Sequence, residues 1–231
     1  MSIAENIAQV RTNIAQACAQ AGRSPEEITL VGASKMNDAA ACREAIAAGI
    51  DALGENRVQE MTAKLADNAY DGAPLHFIGH LQRNKVKQVV GKVALIQSVG
   101  SMELLEEIEK VAAREQLVQD ILLEVNIGGE EAKSGFAPEA VTAAAEAALA
   151  LPHVRVRGLM TIPPADADRD ANMRYFQEVQ ALYVDINTKL FHNELKCLSM
   201  GMSGDYMDAI RCGATMVRVG TAIFGARNYN I

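Results

Sequence analysis

Lys35 follows the apolar run 28–33, with only Ser34 between them. If that run is a strand, the lysine stands at its C-terminal end. A lysine that is partly desolvated and close to another cation gives up its proton more readily and becomes a nucleophile toward carbonyl carbon. A second group of residues gathers near the end of the chain. Ser203 stands at an N-cap position before a short helical pattern with Asp205 in its first turn, and Gly220-Thr221 lies in the run 216–224. Glycine allows a backbone to approach closely, and Ser and Thr hydroxyls add donors. Two such loops on adjacent strands make a cup for a phosphate, although either alone reads as an ordinary turn. Arg218 alternates with Met216 and Gly220 on one strand face. A guanidinium buried there needs a partner, either an acid such as Glu124 or an acceptor on a ligand.

An amine nucleophile facing a phosphate cup is the equipment that pyridoxal 5′-phosphate requires, with the aldehyde held by Lys35 as an aldimine. Arg218 has only donors to offer, so a pyridine nitrogen facing it would stay unprotonated. That makes a weaker electron sink than a ring paired with a carboxylate, and it restrains carbanion chemistry. The same residues also fit a cofactor-free Schiff-base aldolase that takes the phosphate on its substrate. His76 and His80 flank Phe77-Ile78-Gly79 at a spacing that builds no metal cluster, and no metal site is expected. Glu55 and Glu60 read as helix-entry or surface carboxylates. Arg83, Lys85 and Lys87 read as one solvated helix face, and the ten methionines as mostly core, with Met160, Met200 and Met202 near a ring.

Positioning these residues takes a regular alternation of elements. Ile3, Ile7, Val10 and Ile14 recur at helical spacing, which predicts an amphipathic helix ending before Gly22. Strands are then expected at 28–33, 52–54, 75–81, 93–99, 121–127, 154–162, 197–200 and 216–224. Between them helices are expected at 38–48, from 58, at 84–90, 102–115, 138–149, 172–189 and 205–211. Strands alternating with helices pair in parallel through right-handed crossovers, and eight units match a closed barrel with its site at the C-terminal strand ends. An open doubly wound sheet is the alternative. Residues 1–231 are read as one domain, with 1–21 a helix packed on the barrel.

Composition supports a self-sufficient fold. Of 231 residues, 49% are hydrophobic and 22% charged, enough for a large core without disorder. The net charge of −7 argues against a nucleic-acid or anionic-membrane surface. Cys18, Cys42, Cys197 and Cys212 form no CxxC pair and are expected to be buried, reduced thiols. There is no secretion signal and no apolar stretch long enough to span a bilayer, so a cytoplasmic location is expected.

Several segments are long enough to carry a specific resemblance. Ser34-Lys35, Gly54-Glu55-Asn56, His76-Phe77-Ile78-Gly79-His80-Leu81-Gln82-Arg83-Asn84-Lys85, Gly158-Leu159-Met160-Thr161-Ile162, Leu198-Ser199-Met200-Gly201-Met202-Ser203 and Val217-Arg218-Val219-Gly220-Thr221-Ala222-Ile223-Phe224-Gly225 resemble the pyridoxal phosphate homeostasis proteins (the YggS/PROSC type), in order and over nearly the whole chain. The resemblance implies an α/β fold, a single (β/α)8 TIM barrel with an extra N-terminal helix, like the N-terminal domain of alanine racemase (PLP fold type III). It implies that Lys35 forms the internal aldimine, that Ser199, Gly220 and Thr221 hold the phosphate with Ser203 contributing, that Arg218 faces the pyridine nitrogen, and that Asn56 and Met160 lie near the ring. Met36 and the Gly32-Ala33 pair depart from the threonine after the lysine, and the alanine-valine before it, that this resemblance leads one to expect. Family members are associated with keeping the free cofactor low yet available, and with amino-acid and keto-acid balance, rather than with robust turnover. The resemblance thus implies a carrier, with pyridoxal phosphate-dependent apoenzymes as recipients; a monomer is expected because no exposed apolar helix face demands a dimer. An amino-acid racemase is the enzymatic alternative. It needs proton donors on both faces of a carbanion, and the chain ends at Ile231 without an evident second base opposite Lys35.

Overall fold

The computed structural model describes residues 1–130 and 133–225. Eight parallel strands close into a barrel: β1 (Thr29–Ala33), β2 (Ala52–Glu55), β3 (Leu75–Phe77), β4 (Leu95–Val99), β5 (Gln119–Val125), β6 (Val154–Thr161), β7 (Cys197–Ser199) and β8 (Met216–Val219). Closure comes from β1 pairing with β8, in the register Thr29 to Met216 and Val31 to Arg218. The closed barrel, rather than the open sheet, is the architecture.

Alternation along each strand sorts side chains into two layers. Val31, Ala52, Leu95, Leu122, Met160 and Met216 fill the lumen. Leu30, Leu53, Ile96, Ile121, Leu159 and Val217 face outward and join the larger core beneath the helices.

The helices form where capping and spacing agree. In α1 (Ile3–Ala21), Ser2 and Glu5 make a reciprocal capping box, and Gly22, with φ 66°, ends the helix in the left-handed conformation glycine adopts without penalty. It packs on α2 (Ala39–Ala47), α7 (Tyr206–Arg211) and α8 (Thr221–Phe224). In α4 (Met102–Arg114), Ser101 caps the first turn, and Leu104, Leu105, Ile108, Val111 and Ala112 form one buried stripe. Full burial of Leu105 or Ile108 contributes about 2 kcal/mol each. The remaining layer is α3 (Val58–Ala66), α5 (Val141–Leu149) and α6 (Arg169–Leu190).

Three expectations are corrected. The third strand stops at Phe77 rather than continuing to 81, because Gly79 leaves the sheet and passes directly over Asn56. A Cβ on Gly79 would lie 2.3 Å from the Asn56 carbonyl oxygen. The segment expected as a helix at 84–90 is a 3-10 turn, Arg83–Gln88. The last strand ends at Val219, and Thr221–Phe224 is the short helix α8, anchored when Asn6 Nδ2 donates to the Ile223 carbonyl at 2.7 Å.

Candidate functional site

Lys35 is half-buried in the turn after β1. Asn37 N–H donates to the Ser34 carbonyl at 3.1 Å, and Met36 between them has φ 63°. Such a turn normally carries glycine or asparagine at that third position. A buried ionic cluster lies against it. Glu55 Oε1 accepts from Ser34 Oγ at 2.7 Å, Lys64 Nζ at 2.7 Å and Tyr70 OH at 3.0 Å. Lys64 Nζ also donates to the Ser34 carbonyl at 2.8 Å and to Glu60 Oε1 at 2.9 Å, and Glu60 Oε1 accepts the Met36 N–H. Burial alone would lower the Lys64 pKa, but Glu55 and Glu60 more than offset it and raise it. Glu60, half-buried, stands in the first turn of α3 as expected of a helix-entry acid, whereas Glu55 is wholly buried at the end of β2 and is neither a helix-entry nor a surface carboxylate. The cue was present in the sequence, since Glu60 and Lys64 are four apart on one helix and Glu55 ends an apolar strand.

Arg218 lies inside the barrel, 3% exposed. Its Nη1 donates to Ser199 Oγ and its Nη2 to the Thr161 carbonyl at 2.9 Å. Among the described residues it forms no ion pair, so the salt bridge with Glu124 is not made. Glu124 Oε2 accepts from Ser134 Oγ at 3.0 Å instead, and burial pushes its carboxyl up, with Ser134 and Arg218 opposing. Burial also lowers the Arg218 pKa to about 10, against the pull of Glu124 and Asp205, which leaves it protonated at neutral pH. Ser199 has no exposure, and its O–H goes to Gln97 Oε1 at 2.6 Å. A hydroxyl has one hydrogen to give. To donate to a phosphate, Ser199 would have to release Gln97; as placed, it supports Arg218. Gln97 Nε2 in turn meets His76 Nδ1 at 3.0 Å and Met216 Sδ at 3.1 Å. Burial lowers the His76 pKa to about 4, so its ring is neutral. Met160, with no exposure, packs among the lumen residues, in register with Ser199 on the neighbouring strand. Gln97 was missed, although an amide within Leu95-Ile96-Gln97-Ser98-Val99 is a visible break in an apolar strand.

The two glycine-containing loops do come together. Ser203 Oγ accepts the N–H groups of Gly220 at 3.1 Å and Ala222 at 3.4 Å. Among the described residues, the N–H groups of Ser203, Gly204 and Thr221 make no hydrogen bond within the chain. Gly201, with φ 93°, lets the loop pass Tyr206 and Ala209, where a Cβ would lie 2.6 Å from the Ala209 Cβ. Across the mouth, Asn56 lines a cleft with Ile78, His80, Asn126 and Lys133. Its Oδ1 is buried and takes no hydrogen bond. His80 is exposed on the same rim. Among the described residues no group of three or more His, Cys, Asp or Glu side chains could hold a metal, and no helix is long and apolar enough to cross a membrane.

A closed barrel with a lysine turn after β1 and a backbone cup between β7 and β8 defines the class. Residues 6–228 match the family model described as alanine racemase, N-terminal domain. An alanine racemase of Clostridium difficile 630 shares this fold, with a TM-score of 0.73 at 18% identity; 99% of the present chain spans 58% of that one. The chain belongs to the pyridoxal phosphate homeostasis protein family. It is 43% identical over 229 residues to a pyridoxal phosphate homeostasis protein of Aquifex aeolicus, covering 99% of this chain and 100% of the other. The structure of PipY from Synechococcus elongatus with PLP bound superposes with a TM-score of 0.84 at 32% identity, covering 97% of this chain and 100% of PipY.

Proposed function

We propose that this chain binds pyridoxal 5′-phosphate covalently through Lys35 and acts as a carrier in cofactor homeostasis and amino-acid and keto-acid balance, with little or no turnover of its own. When bound, the cofactor supplies an aldehyde for amine capture and an electron-withdrawing ring. The residues present fit it. Asn56 has a buried amide oxygen without a partner, placed to orient a polar ring substituent. The N–H groups of Ser203, Gly204 and Thr221 offer donors to a phosphate, joined by the Thr221 hydroxyl; Gly220 forms the wall of the cup. Met160, fully buried in the lumen beside Ser199, offers an apolar surface near the ring.

The observation that carries the carrier reading is Arg218: a buried cation, bonded to a hydroxyl and a carbonyl rather than to a carboxylate. With two of its five N–H groups committed, it retains donors for a ligand acceptor and supplies no carboxyl group to pair with a protonated ring nitrogen. Among the described residues, no tyrosine stands free as a second base opposite Lys35. Tyr70 donates to Glu55, Tyr183 to the Leu195 carbonyl, and Tyr206 accepts from Asn13; Tyr175 is on α6, and Tyr229 lies outside the described residues.

The test is visible absorption of the purified protein with and without added pyridoxal phosphate, then borohydride reduction and mapping of the modified peptide. A yellow band lost on reduction and traced to Lys35, and absent in Lys35→Ala, is the expected result. A protein that takes up no cofactor, and traps a carbonyl substrate only when one is added, would overturn the reading in favour of an aldolase. Loss of the α-hydrogen of an amino acid at a useful rate would favour a racemase.

A further inference from the structure

The ionic cluster behind the lysine turn is buried, and its hydrogen bonds go to the residues on either side of Lys35. Ser34 is held twice, through its hydroxyl by Glu55 and through its carbonyl by Lys64. Met36 is held through its N–H by Glu60. The next contact also belongs to the turn, since Asn37 Nδ2 donates to the Lys35 carbonyl at 3.1 Å. Met36 is left-handed at φ 63°, a conformation uncommon for a residue other than glycine, and these bonds bracket it. The clamp is itself rigid. Lys64 is 6% exposed, bridges both carboxylates and is joined through Glu55 to Tyr70. An ion pair buried only to stabilise the fold would be replaceable by apolar side chains and would have no reason to converge on this turn.

We propose that Glu60, held by the Lys64–Glu55 pair, is a positioning residue that keeps Met36 left-handed and so aims the Lys35 amine into the barrel mouth for attack on an aldehyde. This rests on the reading of Lys35 as the cofactor-binding amine. A reacting group displaced by about 1 Å reacts up to about a hundredfold more slowly, so even partial release of the turn is measurable.

The experiment follows the rate at which purified protein captures pyridoxal phosphate, by growth of the visible band and by borohydride trapping at Lys35, with thermal unfolding recorded for every variant. Glu60→Ala is expected to slow capture about tenfold, a partial release of the turn. Glu60→Gln keeps an oxygen acceptor for the Met36 N–H and is expected to stay within about threefold of the parent. The deciding variant is Glu60→Ala combined with Met36→Gly, because glycine takes positive φ without a clamp and is expected to recover most of the lost rate. Capture by Glu60→Ala at the parental rate would overturn the proposal, as would a loss that Met36→Gly does not restore. If the unsubstituted protein is not modified at Lys35, the reading of the site itself fails, a result separate from either of these.

Discussion

Ser203 Oγ accepts the backbone N–H of Gly220 at 3.1 Å, tying the loop after β7 to the end of β8. A second bond from the Ala222 N–H makes this hydroxyl the hinge pin of the cup. Ser203→Ala leaves both donors without their acceptor. The expected cost is about 1 kcal/mol of stability, read by urea unfolding. Affinity for pyridoxal phosphate should fall about tenfold, equivalent to about 1.4 kcal/mol, while binding of pyridoxal without its phosphate is unchanged. An equal loss for both ligands, measured by fluorescence titration, would place Ser203 away from the phosphate.

Gly220 is not required by packing within the chain. A Cβ there would meet Ala33 at 3.4 Å, an ordinary contact, and its φ of −111° is open to any residue. Gly220→Ala is therefore expected to shift stability by less than about 1 kcal/mol yet weaken pyridoxal phosphate binding. If binding survives unchanged, the cup does not bring a ligand against this residue.

Arg218→Met replaces a buried cation by an apolar side chain of similar length. Ser199 Oγ and the Thr161 carbonyl lose a donor, while the burial of a charge is relieved. These effects oppose one another, and the net change in stability should stay under about 2 kcal/mol. The bound cofactor should lose about tenfold in affinity or more, and its absorption band should shift as the ring nitrogen loses its donor. A spectrum identical to that of the parent protein would remove Arg218 from contact with the ring.

His76 gives a pH dependence whose sign follows from burial. Its pKa is lowered in the folded protein from 6.5 to about 4, so between these values the unfolded chain binds the proton that the folded one refuses. Stability from this residue is complete above pH 6.5 and declines as pH falls toward 4, by about 3 kcal/mol in all. His76→Gln should flatten that part of the urea-midpoint profile relative to the parent. Parallel profiles for the two proteins would show that His76 does not titrate in this range.

The alternation of strands and helices was legible because it is local. Apolar residues at a period of two or at helical spacing report the face each segment buries, and Gly22 marks the end of α1 through bonds to neighbours a few positions away. The same logic located Lys35 at a strand end and Arg218 on an inward face, and the order of motifs pointed to the family. Boundaries held less well where a long-range contact set them. Gly79 crossing Asn56 ends β3, and the seat of Ile223 against α1 turns the end of the last expected strand into α8.

The partners of buried polar groups were out of reach for the same reason. Glu55 read as a helix-entry or surface acid until β1, β2 and α3 brought Ser34 and Lys64 to it. Ser199, which the resemblance assigns to the phosphate, was set by barrel closure beside Gln97, 102 positions away. The sequence by itself determined which chemical groups exist, which strand faces are apolar and the order in which eight units follow one another. Only the tertiary structure decided which polar groups satisfy each other. Water is excluded from the lumen and from behind the lysine turn, and each donor and acceptor there must take whichever partner the closed barrel brings within about 3 Å.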